Sequence, residues 1–516
     1  MDQADDPQAP VFEFLGEPTT YGGRAVQRID THANVVFLAG DLALKVKRAV
    51  RFPFLDYSTL AKRRAACASE LEVNRVFAPE LYRRILPITR NSSGNLVFDG
   101  EGEPVEWAVE MLRFDERQTL DRIAEAGGID DALAQKLAVT VAAMHERVPV
   151  VEASPWVSAL EEFLGQNAIA FREVPALFQT DIAVKLDQTV RSELERLRPL
   201  LVSRGRRGLI RRGHGDLHLG NIAVLDGRPV PFDAIEFDPD IAAGDVLYDL
   251  AFLLMDLLER GLGRAANIVF NGYFAQIERA EDLDGLAALP FFMSLRAAIR
   301  AKVTAARLQY AETRDQATLS RAATTYFRLA AELLSPSAST LVAVGGLSGT
   351  GKSSIARELA QLVAPAPGAL VLRTDIERKR LFGVAETEHL PSDAYSAEAT
   401  GKVYRIIVDK AARIIGARHS AIADAVFAKP EERAAIRAVA EAAGVAFRGL
   451  FLVADLQTRL DRVGTRRLDA SDANAAVALQ QETFALGAIE WTEIDASGSL
   501  TETLTRARSA IGYRND

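Results

Sequence analysis

The eight residues Gly346-Leu347-Ser348-Gly349-Thr350-Gly351-Lys352-Ser353 restrict the fold around them more than any other stretch of this chain. They fit G-x-x-x-x-G-K-[ST], follow the apolar run Leu341–Val344 and precede a helix-forming stretch over Ser353–Leu362. The pattern predicts a strand, a phosphate-cradling loop and a helix in direct succession. Glycine at 346, 349 and 351 lets backbone N–H groups converge on phosphate oxygens with no side chain in the way. The helix N-terminus adds partial positive charge. Lys352 is expected at the β- and γ-phosphates, Ser353 at Mg2+, and Ser348, Thr350 and Ser354 along the phosphates. The competing reading is a glycine-rich strand–helix turn that binds no nucleotide.

Downstream, strands and helices alternate. Strands are expected at Ala369–Leu372, Ser420–Ala423 and Ala446–Val453, and helices near Ala397–Ile415, Glu431–Ala443 and Leu456–Val463. Such alternation implies a parallel sheet covered on both faces, an α/β domain. The first of these strands runs into Arg373-Thr374-Asp375, with Arg378 shortly after. A carboxylate just past the C-terminal end of a strand lies on the ligand face of a parallel sheet. Asp375 is therefore a candidate base for an acceptor hydroxyl, and Arg378 a candidate holder of an anionic group on that acceptor. Alternatively, Asp375 only caps the next helix. Asp424, at the end of the following strand, is a candidate for the Mg2+ shell. Arg462, Arg466 and Arg467 read either as lid arginines over the transferred phosphate or as a solvated basic helix end. No NKxD guanine motif follows. These residues resemble the P-loop kinases of the zeta-toxin, chloramphenicol-phosphotransferase and polynucleotide-kinase type.

The first part of the chain starts with strands and turns helical. Val35–Leu38 and Leu42–Val46 flank Ala39-Gly40-Asp41, a hairpin turn. A charged helix is expected over about Thr59–Phe77, a strand over Val105–Met111, and helices over Asp130–Arg204 and after Asp245. A small β-rich lobe before a larger helical lobe is an α+β pattern. Within it, His214-Gly215-Asp216-Leu217-His218-Leu219-Gly220-Asn221 resembles the HGDxHxxN loop of aminoglycoside and choline phosphotransferases, which share the protein-kinase fold. The resemblance implies that Asp216 orients and deprotonates an acceptor hydroxyl, and that Asn221 and Asp233 ligate Mg2+. His214 and His218 are four apart, as zinc ligands on a helix can be, but two glycines and the lack of HExxH favour a hydrogen-bonding role in the loop.

A kinase of this fold needs a lysine on the small-lobe sheet. Lys45 and Lys47 share one strand face, and Lys45, deepest in the apolar run, is assigned to the α/β-phosphates. A solvated strand face is the alternative reading. A buried lysine needs a carboxylate; Glu70 and Glu72 are candidates, and Glu70 better fits the family pattern. Glu110-Met111-Leu112 is expected to be the hinge that holds adenine by backbone bonds. No G-x-G-x-x-G loop precedes Lys45; only Gly22-Gly23 is available. Gly244-Asp245-Val246-Leu247-Tyr248-Asp249-Leu250 resembles the family's G-D-x-x-Y-D-L segment, and Asp245 and Asp249 are read as braces for the catalytic loop.

The order of the two modules resembles bacterial bifunctional aminoglycoside phosphotransferase/ATP-binding P-loop proteins, as do Arg51–Asp56 and Leu71–Tyr82. The expected organisation is a protein-kinase-like α+β domain over 1–334, with lobes at about 10–112 and 113–334. The Ser/Pro-containing linker 335–340 follows, and then an α/β P-loop domain over 341–516. A length of 516 residues and a hydrophobic content of 48% suit such cores. The single Cys67 fits a reducing compartment, and the acidic start MDQADDPQAP lacks a secretory pattern, so a cytoplasmic protein is expected. The run Asp245–Leu258 reads as a core helix, since three aspartates interrupt it, and no membrane span is expected. The net charge is −9, and the part from Leu341 onward is neutral, with 22 basic and 22 acidic residues. That is no footprint for duplex nucleic acid. The function expected is transfer of the γ-phosphate of Mg·ATP to hydroxyls of small polar metabolites, with sugar-, aminoglycoside- or nucleoside-like acceptors. Two rivals stand beside it: a C-terminal nucleotide or polynucleotide 5′-hydroxyl kinase, and a module that senses nucleotide to regulate the other.

Overall fold

The computed structural model describes residues 7–52, 55–310, 313–464 and 470–513. Compactness divides the chain into two units, Met1–Ala170 with Leu201–Arg260, and Phe171–Leu200 with Gly261–Asp516.

The first unit is built on a six-stranded antiparallel sheet. Its order is Val26–Asp30, Asn34–Ala39, Leu42–Lys47, Pro104–Leu112, Tyr82–Arg90 and Leu96–Phe98. The expected hairpin pairs Ala39 with Leu42, and Gly40 sits in its turn at φ +57. Alternation then sorts the third strand. Leu44 and Val46 join Val35, Phe37, Leu86 and Ile88 in a core closed by Val11, Phe12 and Leu15 of the helix Ala9–Gly16. Lys45 and Lys47 take the opposite parity. Helix Leu60–Phe77 is capped by Thr59, whose hydroxyl accepts the Lys62 N–H, and buries Arg63, Cys67, Glu70 and Asn74. Their i, i+4, i+7, i+11 spacing makes one stripe. Of this stripe, Glu70 meets the lysines of the sheet, Arg63 meets Glu106 and Asn74 meets the Ala234 backbone.

After this lobe come the short strands Ile210–Arg212 and Ala243–Asp245, the hairpin Ile222–Leu225/Arg228–Pro231, and the buried helix Val246–Glu259. Asp226 and Gly227 turn the hairpin with φ +49 and +72, the signs a two-residue turn of matching twist requires.

The second unit holds a five-stranded parallel sheet in the order Leu370–Arg373, Ala421–Asp424, Thr340–Gly346, Ala446–Val453, Thr492–Asp495. Its strands are buried among Val342, Val344, Ile422, Leu450 and Leu452, with Ile355 and Leu359 of helix Lys352–Ala360 packed on them. The last strand and the helix Leu500–Ala510 lie beyond the expected alternation; both are short and polar on one side. The edge strand Leu370–Arg373 is covered by helix Gly263–Phe274. Asn271 accepts the Val371 N–H at 2.8 Å and donates to the Ala369 carbonyl at 3.1 Å. Residues 261–334, placed before the linker on sequence grounds, thus share a compact unit with the parallel sheet. Among the described residues no helix is long and apolar enough to cross a membrane.

Candidate active sites

Period-two alternation delivers Lys45 and Lys47 together to Glu70. Lys45 Nζ lies 2.7 Å from Glu70 Oε1, and Lys47 Nζ lies 2.7 Å from Oε2. Glu70, not the exposed Glu72, is the partner: residue 70 falls on the buried stripe of its helix and residue 72 is turned away. Lys45 also meets Asp233 at 2.6 Å. Burial disfavours charge on Lys45, but Asp233 and Glu70 outweigh it and hold the ammonium well above its ordinary range. Burial likewise pushes Glu70 up, and Lys45 and Lys47 overcome that and bring it to about 2. Removing one partner of such a buried set costs about 3–5 kcal/mol, because a charge is left uncompensated.

Asp233 follows the hairpin at φ +61, a rare conformation for a residue with a side chain. Its neighbours fix it there: the Asp233 N–H donates to the Tyr82 hydroxyl at 3.2 Å, and Asn74 accepts the Ala234 N–H at 2.8 Å. In the catalytic-type loop, Asn221 Nδ2 donates to both the carbonyl and Oδ2 of Asp216, each at 3.0 Å. His218 Nδ1 accepts the Gly220 N–H at 3.1 Å, which leaves the proton on Nε2, 3.5 Å from Asp216 Oδ2. His214 is buried and bonds through Nε2 to the Phe232 carbonyl at 2.9 Å; burial holds it below its ordinary value. Both rings are engaged in shaping the loop.

The braces are legible in the backbone bonds. Asp249 accepts N–H groups of His214 (2.7 Å) and Gly215 (3.0 Å), and Asp256, one turn-pair further along the helix, accepts that of Leu219 at 2.9 Å. Asp245 caps the same helix through the Leu247 N–H and holds Arg204 at 2.5 and 2.7 Å. In the sequence Asp256 only interrupts an apolar run, and its i+7 relation to Asp249 is the signal for a second brace.

The expected hinge residues Glu110 and Met111 lie inside the sheet. Glu110 and Met111 pair with Leu44 and Ala43 on one side and with Arg84 and Tyr82 on the other, so their backbone groups belong to the ladders. The Glu110 side chain holds Arg84 at 2.7 Å and has the parity of Leu44, opposite to Lys45. Sequence showed the strand but not its width.

At the C-terminal site the loop glycines have φ +136, +90 and +88 at 346, 349 and 351. A Cβ on Gly349 would lie 2.5 Å from the Arg459 carbonyl, and one on Gly346 2.4 Å from that of Leu452. Thr350 Oγ1 and Lys352 Nζ donate to the Leu347 carbonyl at 2.8 and 3.1 Å, and the Ser354 N–H donates to that of Gly351 at 3.1 Å. Ser348 is clasped from outside the motif: Gln481 accepts its N–H at 2.6 Å and donates to its hydroxyl at 3.0 Å, while Arg459 Nε donates to its carbonyl at 2.9 Å.

Ser353 and Asp424 share one cation. Arg373 donates from Nη2 to Ser353 Oγ at 3.3 Å and brings Nε within 3.4 Å of Asp424 Oδ2. Asp424 stands across from Arg373 on one side and Val344 on the other. Asp375 is in the first turn of helix Thr374–Leu381, whose N-cap position is Arg373. Burial pushes Asp375 up, Asp424 adds to that, and Arg373 and Lys352 pull against it; the net direction is upward.

Two of the candidate arginines are bonded within the protein. Arg462 donates to the carbonyls of Ala496 and Gly498, each at 2.7 Å, and so is engaged with the segment after the last strand. One helical turn earlier, Arg459 is the residue that reaches the loop. Arg466 and Arg467 lie outside the described residues. Arg378 is buried, donates to the Ala394 carbonyl at 2.6 Å and lies over the Tyr395 ring at 5.0 Å. Its guanidinium supports the Ser392–Tyr395 turn.

The donor sets fit a hard divalent cation, which takes oxygen ligands and keeps several waters. At the N-terminal site, Asn221 has its amide nitrogen occupied by Asp216 and its oxygen as the remaining donor, and Asp233 already holds a cationic nitrogen. At the C-terminal site the Arg373 guanidinium occupies the same role between Ser353 and Asp424.

Residues 34–289 match the model of the "Phosphotransferase enzyme family", and residues 341–485 match that of an "AAA domain". The Mycobacterium tuberculosis (strain ATCC 25618 / H37Rv) protein Rv2004c is 30% identical over 497 residues, which is 93% of this chain and 95% of the relative. The Mycobacterium bovis (strain ATCC BAA-935 / AF2122/97) protein Mb2027c matches to the same extent. Among solved structures, a choline/ethanolamine kinase family protein from Mesorhizobium loti is 14% identical, covering 64% of this chain and 99% of its own, with a TM-score of 0.36. The Mycobacterium tuberculosis APS kinase CysC, in complex with AMPPNP and APS, is 22% identical, covering 34% and 99%, with a TM-score of 0.26.

Proposed function

This chain belongs to one family with mycobacterial Rv2004c and joins a phosphotransferase-family domain to an AAA-type P-loop domain; from that premise we propose that it is a two-site, ATP-dependent phosphotransferase acting on hydroxyl groups. The acceptors are small polar metabolites of sugar-, aminoglycoside- or nucleoside-like kind. One observation carries this reading: each site brings a lysine and two oxygen donors for a cation to a further carboxylate. In the first set, Lys45, Asn221 and Asp233 accompany Asp216; in the second, Lys352, Ser353 and Asp424 accompany Asp375.

The chemistry asked of the protein is positioning and charge stabilisation. At the first site, Asp216, oriented by Asn221, accepts the proton of the acceptor hydroxyl as its oxygen bonds to the γ-phosphorus. Lys45 holds α/β-phosphate charge as the bond from the γ-phosphorus to the β–γ bridging oxygen breaks and ADP departs. Glu70 keeps Lys45 in place. Mg2+, when bound, neutralises phosphate charge, with Asn221 and Asp233 as its protein ligands. At the second site, the loop amides and Lys352 hold the phosphates, Asp375 accepts the acceptor proton, and Ser353 and Asp424 are the cation ligands.

The test is a screen of hydroxyl compounds with γ-labelled ATP on wild type, Asp216→Asn and Lys352→Ala. Two sets of labelled products, each lost in one variant, are expected. ATP turnover that neither substitution alters would sink the proposal. Loss of first-site products in Lys352→Ala, with no product from the second site, would mean a regulatory P-loop module instead.

A further inference from the structure

Lys47 is a second buried lysine that the phosphoryl-transfer scheme leaves without a task. Its side chain is wholly buried, whereas that of Lys45 retains 10% exposure. It takes the Glu70 oxygen that Lys45 leaves, and its other partner is Glu236. Glu236 stands three residues after Asp233 on the same loop. It is fixed from two more sides: the Tyr57 hydroxyl donates to Oε1 at 3.2 Å, and Ser69 Oγ donates to its carbonyl at 3.0 Å. The Tyr57 ring lies 5.3 Å from Lys47 Nζ. Asp233, Lys45, Glu70, Lys47 and Glu236 therefore form one alternating chain of charges with both ends on the metal-ligand loop.

In that chain the two lysines do different things. Lys45 must exchange Asp233 for phosphate when nucleotide and cation arrive, since Asp233 is then needed by the cation. Lys47 holds Glu70 and Glu236, neither of which this reading assigns to the cation. Without it, Glu70 and Glu236 would face each other as buried like charges, and the loop carrying Asp233 would lose the ion pair that ties Glu236 to the sheet, keeping its bonds to Tyr82, Asn74 and Ser69.

We propose that Lys47 is a positioning residue of the N-terminal site: through Glu70 and Glu236 it fixes the Asp233 loop, so that Asp233 passes from Lys45 to the cation without the loop moving. The inference rests on the reading of this site as one for Mg·ATP. It separates cation-dependent from cation-independent nucleotide binding, which a merely stabilising ion pair would not do.

The experiment uses the full chain with Lys352→Ala, so that binding reports the N-terminal site, and calorimetric titration with AMP-PNP in the presence and absence of Mg2+. Lys47→Met and the near-isosteric Glu236→Gln are expected to bind metal-free AMP-PNP within about twofold of the parent. Both are expected to lose roughly 10- to 100-fold of the affinity that Mg2+ adds, the range for residues that orient metal ligands. Lys45→Met should weaken binding under both conditions, and Lys47→Arg should restore the Mg2+ gain. A folded Lys47→Met or Glu236→Gln protein with the full Mg2+ gain overturns the proposal, as does an equal loss with and without Mg2+. If Lys47→Met does not fold, Glu236→Gln decides alone. A parent that binds no AMP-PNP defeats the nucleotide reading itself, and the proposal falls with it; that result appears before any Lys47 variant is compared.

Discussion

The two sites answer the same electrostatic demand with different materials. The N-terminal site gathers side-chain charges, with buried Lys45, Lys47, Glu70 and Glu236 and the half-exposed Asp233 alternating in sign across a strand, a helix and a loop. The C-terminal site relies on backbone, with three glycines at positive φ leading into helix Lys352–Ala360. A network of side chains fails when a charge is deleted. A backbone cradle fails when an atom is added or its outer clasp is cut.

The largest expected effect tests whether the sites are chemically independent. Asp216→Asn should lower N-terminal transfer by about 10²–10⁴-fold, the usual contribution of a positioned general base. C-terminal products, followed with labelled ATP, should persist. A parallel fall in both would erase the contrast.

Next comes the added atom. Gly349→Ala places a Cβ 2.5 Å from the Arg459 carbonyl at φ +90, whereas Gly351→Ala, at φ +88, meets nothing within 4 Å. Both incur strain of about 1–3 kcal/mol, but only Gly349→Ala must also displace backbone. Denaturant unfolding should rank Gly349→Ala below Gly351→Ala, and nucleotide titration in a Lys45→Met background should show the same order.

The outer clasp offers a sharper comparison between two arginines of one helix. Arg459→Ala removes bonds to Ser348 and Ala478 and the pairing with Glu482. It should weaken C-terminal nucleotide binding by about 1.5–3 kcal/mol, the scale of hydrogen bonds from a charged group. Arg462→Ala, three residues on, should leave that affinity alone. Equal effects would mean that the arginine reaching the loop is not what supports it.

The smallest expected effect is a displaced pH limb. Burial and Asp424 raise Asp375. As pH falls, it therefore gains its proton while an ordinary carboxylate, near 4, is still ionised. Loss of its base form should end C-terminal transfer on the acid side above that value. The limb should disappear from the residual activity of Asp375→Asn. Glu70 moves the other way, down to about 2, so the N-terminal clamp stays charged through the same window.

Legibility tracked distance along the chain. The loop Gly346–Ser353, the run His214–Asn221 and the pairing of Lys45 with a glutamate of the next helix were readable, because each is a short segment or follows from strand and helix periodicity. Arg459 and Gln481 were not: which arginine of a helix meets a loop more than a hundred positions earlier depends on how that helix is rotated against the sheet. That Glu110 and Met111 are paired on both sides was not readable either, because a strand's pattern shows which face is buried, but not how many neighbours pair with it. That Arg378 is buried against the turn carrying Tyr395 was not readable, since that turn lies beyond its own helix.

By itself the sequence determined the local machinery: where glycine must free the backbone, which carboxylates follow strand ends, and which lysines share a face. These are matters of φ, ψ and side-chain period within a few residues. Only the tertiary structure decided which distant charges meet, such as Lys47 with Glu236, Arg373 between Ser353 and Asp424, and Asn271 with the edge of the parallel sheet. Those meetings are selected by burial. A charge taken out of water must find its counter-charge wherever packing brings one, and the local pattern carries no record of the partner's position.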